Sequence, residues 1–163
     1  MEQIDESLYS RQLYAIGRDA MSKITQSSVC ISGLSGLGVE LAKCIILSGI
    51  SKVTLHTPSD ILTFRDLASN YYADETMVGK QFLSKITQEL SALNNNVEVK
   101  CTKYLTKKLV ESHSVMVFCD YNIHELLHWN KFCRSNGVKF IALQTYGLAR
   151  NLFCDFGDDH IVN

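Results

Sequence analysis

Apolar residues along the chain follow two different spacings, and their alternation predicts a sheet covered by helices. Short runs rich in Val and Ile, such as "SVCIS" and "VMVFC", are typical of buried strands. Longer segments between them repeat apolar residues every three or four positions, as helices with one buried face do. The pattern predicts helices over 7–25, 36–48, 79–93, 105–111 and 123–135, and strands over 29–32, 53–56, 97–101, 115–119 and 138–143. This order predicts an α/β fold with a doubly wound, mostly parallel sheet and helices on both faces.

The first helix and the longest connection carry further expectations. Along helix 7–25 one face is predicted to be apolar, formed by Leu8, Ile16, Ala20 and Ile24. Ser7 is a candidate N-cap, and Gly17 weakens the helix from within. Residues 57–78 are expected to be irregular. The last segment, "YGLARNLFCDFGDDHIVN", stops in strand-like material, so we expect a truncated fragment of a longer polypeptide.

Composition narrows the classes of function. The chain has 163 residues, 46% of them apolar, which suits one domain with a proper core. The net charge is −1 and no basic cluster is longer than Lys107-Lys108, so we expect no nucleic-acid partner. No apolar run approaches the ~20 residues that span a bilayer, so no membrane partner is expected. The six cysteines form no C-x-x-C and lie mostly in apolar runs, which indicates a reducing, intracellular location without a Cys-type zinc site.

The segment Gly33-Leu34-Ser35-Gly36-Leu37-Gly38 joins a strand to a helix, as the turn of a dinucleotide-binding motif does. That motif needs one glycine for a tight turn, one for close approach to the pyrophosphate, and one for helix packing. In the frame from Gly33 the second position is Ser35, and in the frame from Gly36 the third is Leu41. No acidic residue closes the second strand, since Asp60 follows only after Pro58. We therefore predict a degenerate turn that keeps its shape and binds no nucleotide.

His124-Glu125-Leu126-Leu127-His128 matches H-E-x-x-H, the helical motif of some zinc hydrolases. On a helical wheel His124, His128, Lys131 and Ser135 share one stripe, and Leu126, Trp129 and Cys133 lie opposite. The histidines are therefore expected to face solvent. Further ligands could come only from Asp155, Asp158, Asp159 or His160 near the end, so we expect no metal site.

Two other groups of polar residues have both a structural and a functional interpretation. Asp120, Tyr121 and Asn122 follow a predicted strand and would lie at the carboxyl edge of the sheet, where ligands bind in open α/β folds. Asp120 or Asn122 could equally cap the next helix. Arg11, in "LYSRQ", could be an ordinary exposed residue of the first helix.

The long segment from "LYSRQLYAIGRDAM" to "SGISKVTLH", together with "NLFCDFGDD", resembles the N-terminal part of eukaryotic ubiquitin-activating enzymes. The resemblance runs from about Asp5 to Val162. It implies a Rossmann-like adenylation half-domain of the ThiF/MoeB type, spanning 1–163 and cut near the insertion of the first catalytic cysteine half-domain. In that family two such halves form a pseudo-dimer, and only the C-terminal half is active.

The resemblance also implies that this half has lost its ligands. Active members carry G-x-G-G-x-G in the turn, an acid closing the second strand, and an Arg, a Lys and an Asp in later loops. The matching positions here are Ser35, Thr57, Ser69, Phe82 and Tyr121, with Lys80 and Asp120 offset from the last two. No cofactor is therefore expected in this fragment, whereas the full-length enzyme would use ATP and magnesium.

One functional residue is retained in the resemblance. Related enzymes use an Arg of the first helix, matched here by Arg11, to reach the ATP of the other half in trans. The implied partners are the active adenylation half of the same chain, ubiquitin and ubiquitin-conjugating enzymes, and the implied location is cytoplasm and nucleus. Two alternatives stay open: the equivalent half of an enzyme for another modifier, and a self-sufficient nucleotide-binding adenylyltransferase or dehydrogenase.

Overall fold

A computed structural model describes residues 4–158 and His160 of the chain. Six strands form one sheet: β1 (Ser28–Ser32), β2 (Lys52–His56), β3 (Glu98–Thr102), β4 (Val115–Cys119), β5 (Lys139–Tyr146) and β6 (Ala149–Asp155). The helices are α1 (Glu6–Gln26), α2 (Gly36–Leu47), α3 (Phe64–Leu67), α4 (Leu83–Ser91), α5 (Lys107–Glu111) and α6 (Ile123–Ser135), with a 3-10 turn at Glu75–Met77. None of the helices in this part of the chain is long and apolar enough to cross a membrane.

The strand order is β3-β2-β1-β4-β5-β6. Strands β2 and β3 are added on one side of β1 and strands β4 to β6 on the other, so the switch point of the sheet lies between β1 and β4. Strands β1 to β5 pair in parallel and β6 pairs antiparallel with β5. Strand β4 and helix α6 have the bounds that the sequence predicts. The antiparallel hairpin was not predicted; its turn, Gly147-Leu148, begins with a glycine at φ 63°, which suits a two-residue hairpin loop.

Two apolar cores lie on opposite faces of the sheet, which confirms the doubly wound α/β fold. In β4, Val117 belongs to the core under α2 and α4, while Met116 and Phe118 belong to the core under α5 and α6. In β1, Ile31 likewise belongs to the core under α2 and α4, and Cys30 belongs to the core under α5 and α6. Successive side chains of a strand point to opposite faces, so each central strand contributes to both cores.

The predicted face of α1 is wrong before Gly17, whereas after it Ala20 and Ile24 are half-buried and Ile24 packs against the core under α2 and α4. The buried residues of this helix are Tyr9 and Met21, whereas Leu8 and Ile16 are 55% and 46% exposed. Gly17 has φ 81° and kinks the helix, so one periodicity cannot run through both parts. The predicted weakness at Gly17 is thus confirmed.

The N-terminal cap of α1 and the first residue of α4 also differ from the prediction. Asp5, not Ser7, caps α1, because its carboxylate accepts the N–H groups of Ser7 and Leu8 at 3.1 Å. Helix α4 begins at Leu83 and not at Gly79, which has φ 77°.

The remaining differences are smaller. Thr106 caps α5, which therefore begins at Lys107 and not at residue 105. The segment 57–78 is not wholly irregular, because α3 and the 3-10 turn lie within it.

Candidate functional site

The glycine-rich turn lies at the carboxyl edge of the sheet, between β1 and α2. Gly33 has φ 97°, and a Cβ atom there would lie 2.2 Å from the Cys119 carbonyl oxygen. A Cβ on Gly38 would lie 1.9 Å from the Gly33 carbonyl oxygen. Two of the three glycine roles are therefore kept: the tight turn and the close packing of helix α2 on it.

Protein atoms cover the middle of this turn. A Cβ on Gly36 would lie 2.4 Å from both Cβ and the carbonyl oxygen of Ser69, which follows α3. Ser69 is the position at which the family resemblance expects an Arg. The close approach that glycine permits at Gly36 is thus used by the chain itself.

Ser35 and Asp120 join the turn to the end of β4. The Ser35 hydroxyl donates a 2.7 Å hydrogen bond to Oδ2 of Asp120. The other carboxylate oxygen accepts from the backbone N–H and the hydroxyl of Thr145, at 2.8 and 2.9 Å. Asp120 has φ 59°, and its own N–H donates to the Leu143 carbonyl at 2.9 Å. The side chain at the second glycine position is therefore bonded to a carboxylate that also bonds β5.

Asn122, and not Asp120, caps α6. Its side-chain oxygen accepts the Glu125 N–H at 3.0 Å. The expectation that one of these two residues is a cap is thus confirmed for Asn122. Asp120 instead connects the turn to β5.

A buried chain of hydrogen bonds lies beneath the turn, at the ends of β1, β2 and β4. The Ser32 hydroxyl is 2.7 Å from the Tyr121 hydroxyl and 2.6 Å from Nδ1 of His56. Burial lowers the pKa of His56, which a hydrogen bond to the Lys103 backbone only partly opposes, and burial raises the pKa of Tyr121. Ser32 is fully buried, so this group packs the site and offers no accessible nucleophile.

The hydrogen-bonded group Ser32, His56 and Tyr121 could not be recognised from the sequence pattern. The only indication in the sequence is that two apolar strands each end in a polar residue, Ser32 and His56. Tyr121 was expected at the carboxyl edge of the sheet and at the position where active relatives have an Asp, but not as a partner of Ser32.

The position after β2 offers no group for a ribose. Thr57 is buried, and its hydroxyl donates to the Ser59 carbonyl at 2.7 Å. Asp60 accepts the N–H of Leu83 at 2.7 Å and pairs with Lys103 at 2.7 Å. Burial raises the pKa of the Asp60 carboxyl, but Lys103 and the backbone N–H groups outweigh it and hold the pKa below its ordinary value.

Two other positions named by the resemblance have no role at the turn. Phe82 is 4% exposed and belongs to the core, and Lys80 is exposed. A core phenylalanine cannot bind a phosphate, so this position is structural here.

An open cleft of about 1200 Å³ separates the turn from α3 and the β5–β6 hairpin. Its acidic residues are Glu40, Asp66 and Asp120, and its basic residues are Arg65 and Arg150. The cleft therefore has no excess of positive charge, which a triphosphate would need. It lies at the switch point of the sheet, where ligands bind in this class of fold.

The H-E-x-x-H residues lie away from this cleft on the outer side of α6. His124 and His128 are exposed, as the helical wheel predicts, and the carboxylate of Glu125 contacts the Asn122 amide. Among the described residues no group of three or more His, Cys, Asp or Glu side chains could hold a metal ion.

The acidic residues near the end of the chain are used elsewhere. Asp155 and Asp158 both pair with Arg134. Asp159, also named as a possible ligand, lies outside the described residues.

Arg11 lies on the exposed side of α1. Within residues 4–158 it forms no ion pair, whereas Arg18 of the same helix pairs with Glu6. Its neighbour Tyr9 contacts Gly49 and Asn94, which precede β2 and β3 at the amino edge of the sheet. Arg11 is therefore held near the amino edge of the sheet, whereas the glycine turn of this domain lies at the carboxyl edge. The two edges are separated by the length of β1, which has five residues and spans roughly 16 Å.

Comparison with known proteins gives one family and a consistent group of relatives. The ThiF family matches residues 9–153. A rat protein, ubiquitin-like modifier-activating enzyme 1, is 42% identical over 160 residues, covering 98% of this chain and 15% of its own. Ubiquitin-activating enzyme E1 2 of Arabidopsis thaliana is 41% identical over 164 residues, with 99% and 15% covered. Mouse ubiquitin-like modifier-activating enzyme 7 is 36% identical over 160 residues, with 98% and 16% covered. The chain spans about 15% of the length of the first of these.

Solved structures agree on the fold. E. coli MccB with succinimide matches with a TM-score of 0.70 at 21% identity, over 84% of this chain and 44% of that one. E. coli tRNA N6-threonylcarbamoyladenosine dehydratase matches with a TM-score of 0.71 at 16% identity, over 84% and 59%. At these identities the likeness concerns the fold alone.

Proposed function

The chain belongs to the ThiF family, and on that premise we propose that it is the non-catalytic N-terminal adenylation half of a ubiquitin-activating enzyme. The full-length enzyme would adenylate the ubiquitin C-terminus with release of pyrophosphate, using ATP and magnesium bound by its other half. A cysteine thiol would then displace AMP from the adenylate to form a ubiquitin thioester. Identities of 41–42% to proteins named as ubiquitin-activating or ubiquitin-like modifier-activating enzymes support the proposal. This half would scaffold the pseudo-dimer and be inactive alone.

The observation that carries the proposal is the closure of the turn by Ser35 and Asp120. A nucleotide phosphate at such a turn needs free backbone N–H groups and close approach of the backbone. Here the Ser35 side chain occupies the second glycine position and its hydroxyl bonds to a carboxylate. A phosphate placed there would displace hydrogen bonds that the protein already makes. The residues at this turn do not fit a triphosphate.

We propose in addition that Arg11 acts on the ATP bound by the other half. A guanidinium group is always charged and can bond two phosphate oxygens at once. Such a donor can stabilise charge that develops on phosphate in the transition state. Exposure without an ion partner in the described chain, and distance from its own turn, support a role outside this domain.

The proposed partners are the active adenylation half, ubiquitin and ubiquitin-conjugating enzymes, in the cytoplasm and nucleus. Two alternatives make different predictions. An enzyme for another modifier, which the mouse relative suggests, would activate that modifier in place of ubiquitin. A self-sufficient adenylyltransferase or dehydrogenase would bind ATP or NAD at the turn, which the pairing of Ser35 with Asp120 disfavours.

The experiment is ATP–pyrophosphate exchange, measured with ubiquitin and with other ubiquitin-like modifiers. We expect ubiquitin-dependent exchange by the full-length enzyme and none by residues 1–163 alone. Exchange by the isolated chain would contradict a silent half. Exchange that responds only to another modifier would assign the domain to that pathway.

A further inference from the structure

The helical segment 6–16, which carries Arg11, is attached to the rest of the domain by few side chains. Tyr9 is its one buried residue. Gln12 adds a long hydrogen bond of 3.4 Å to the Ser48 carbonyl. At its far end Gly17 has φ 81° and ψ 168°, so the segment is not a rigid continuation of residues 18–26. An exposed ion pair, Glu6–Arg18, also crosses the kink, but surface pairs of this kind contribute little. The buried attachment of the segment therefore depends mainly on Tyr9.

Tyr9 is inserted into a site that is shaped for it. Its hydroxyl accepts a 2.9 Å hydrogen bond from the side-chain amide of Asn94, which also donates to the Ile46 carbonyl at 3.0 Å. A Cβ atom on Gly49 would lie 2.5 Å from Cζ of the ring, so only glycine leaves room for it. Gly49 also has φ 81°, which favours glycine independently.

This site differs from the two apolar cores. Tyr9 and Asn94 are 5% and 8% exposed, yet neither is a member of either core cluster. The contact joins α1 to the loops that enter β2 and β3. It thus fixes the part of α1 before Gly17 to the sheet, whereas Met21 and Ile24 pack the part after Gly17.

We propose that Tyr9, held by Asn94 and Gly49, is the positioning residue for Arg11. The proposal rests on the proposed action of Arg11 at the ATP of the other half. Arg11 follows Tyr9 by two residues, so the anchored ring holds the backbone close to Arg11, at a point where Tyr9 itself departs from helical geometry with φ −103° and ψ 15°. A flexible, exposed arginine stabilises a transition state only if its backbone is held in place, and a displacement of about 1 Å can cost ~10²-fold in rate.

The test is a double-mutant cycle on kcat of ubiquitin-dependent exchange by the full-length enzyme, with Tyr9→Ala and Arg11→Ala. We expect Tyr9→Ala to lower kcat by up to ~10²-fold. In the Arg11→Ala background it should change kcat by no more than about twofold, because residues that act as a unit are not additive. Tyr9→Phe, which keeps the ring and loses the hydroxyl, should fall between wild type and Tyr9→Ala.

Met21→Ala is the matched control. Met21 is fully buried in the same helix but lies beyond Gly17. This variant should lower the melting temperature and leave kcat unchanged at temperatures well below unfolding. A second measurement, hydrogen exchange, should show faster exchange of amides 6–16 in Tyr9→Phe and unchanged exchange of amides 18–26.

The possible results distinguish a failure of the positioning role of Tyr9 from a failure of the proposed function. No ubiquitin-dependent exchange by the wild-type enzyme would refute the proposed function, and wild-type exchange by Arg11→Ala would refute the role of Arg11. If Arg11→Ala is slow but Tyr9→Ala slows both backgrounds equally, Tyr9 is only structural and the positioning role is wrong. Unchanged exchange of amides 6–16 in Tyr9→Phe would also overturn it.

Discussion

The two edges of the parallel sheet differ in how their polar groups are used. At the carboxyl edge, Ser35, Asp120 and Thr145 bond to one another, and Ser69 covers Gly36. At the amino edge, α1 presents an exposed Arg11 with no ion partner in the described chain. On the proposed function, this fold has lost the ligand at its usual binding edge and has kept a candidate functional group at the opposite one.

The largest effect should come from Arg11→Ala in the full-length enzyme. Loss of a preorganised donor to the transition state costs ~10²–10³-fold in rate, so ubiquitin-dependent exchange at saturating ATP should fall by about that factor. The melting temperature of this domain should stay nearly unchanged, because Arg11 is exposed. Arg11→Lys should restore only part of the rate, since a point charge lacks the two-pronged geometry.

Arg18→Ala is the control for this comparison. Arg18 lies on the same helix but pairs with Glu6 on the protein surface, where ion pairs contribute little. It should retain wild-type exchange. Wild-type exchange by Arg11→Ala as well would make Arg11 an ordinary surface residue, and an equal loss of rate and thermal stability would make it structural.

Asp120→Ala, at the carboxyl edge, should have the opposite effect to Arg11→Ala. It should lower the stability of the domain and leave the rate of exchange unchanged. The change removes the acceptor of Ser35 and of both Thr145 donors and places Ala at φ 59°. We expect a loss of about 2 kcal/mol in the free energy of unfolding of the chain, measured in urea. Asp120→Asn, which tolerates this backbone conformation, should lose less.

The full-length Asp120→Ala enzyme should keep ubiquitin-dependent exchange at temperatures below unfolding. A large loss of kcat in a folded enzyme would mean that the closed turn takes part in catalysis.

A smaller effect should appear on acidification. Burial lowers the pKa of His56 and of His113, whose Nε2 is 2.8 Å from the Thr54 hydroxyl. The unfolded chain, with histidine pKa values of about 6.5, then binds more protons than the folded chain, so stability falls as pH drops below about 6.5. The dependence should weaken in His56→Asn and in His113→Gln. Replacement of the exposed His124 by Asn is the control, and an equal effect there would refute the assignment.

The sequence predicted the elements whose signal is local and missed those that depend on distant contacts. Strand β4 and helix α6 follow from an apolar run and an amphipathic stripe with an Asn at its start. The face of α1 was wrong before Gly17, because that residue breaks the helix into two parts with different buried faces. The loss of the second turn glycine was visible at Ser35.

The partner of Ser35 could not be foreseen. Asp120 is far away in sequence, and its left-handed backbone conformation is set by the fold. Likewise, the fit of Tyr9 against Gly49 depends on how α1 meets the sheet.

The central claim is that this domain keeps the shape of a nucleotide turn without its ligand, and calorimetry tests it most directly. ATP with magnesium, and separately NAD, would be titrated into residues 1–163, into the Ser35→Gly variant and into the full-length enzyme. We predict no saturable heat for the chain or for Ser35→Gly, because Asp120 and Ser69 still close the turn, and one ATP bound per full-length enzyme. Saturable binding of either nucleotide by the wild-type chain at micromolar concentration would contradict the account.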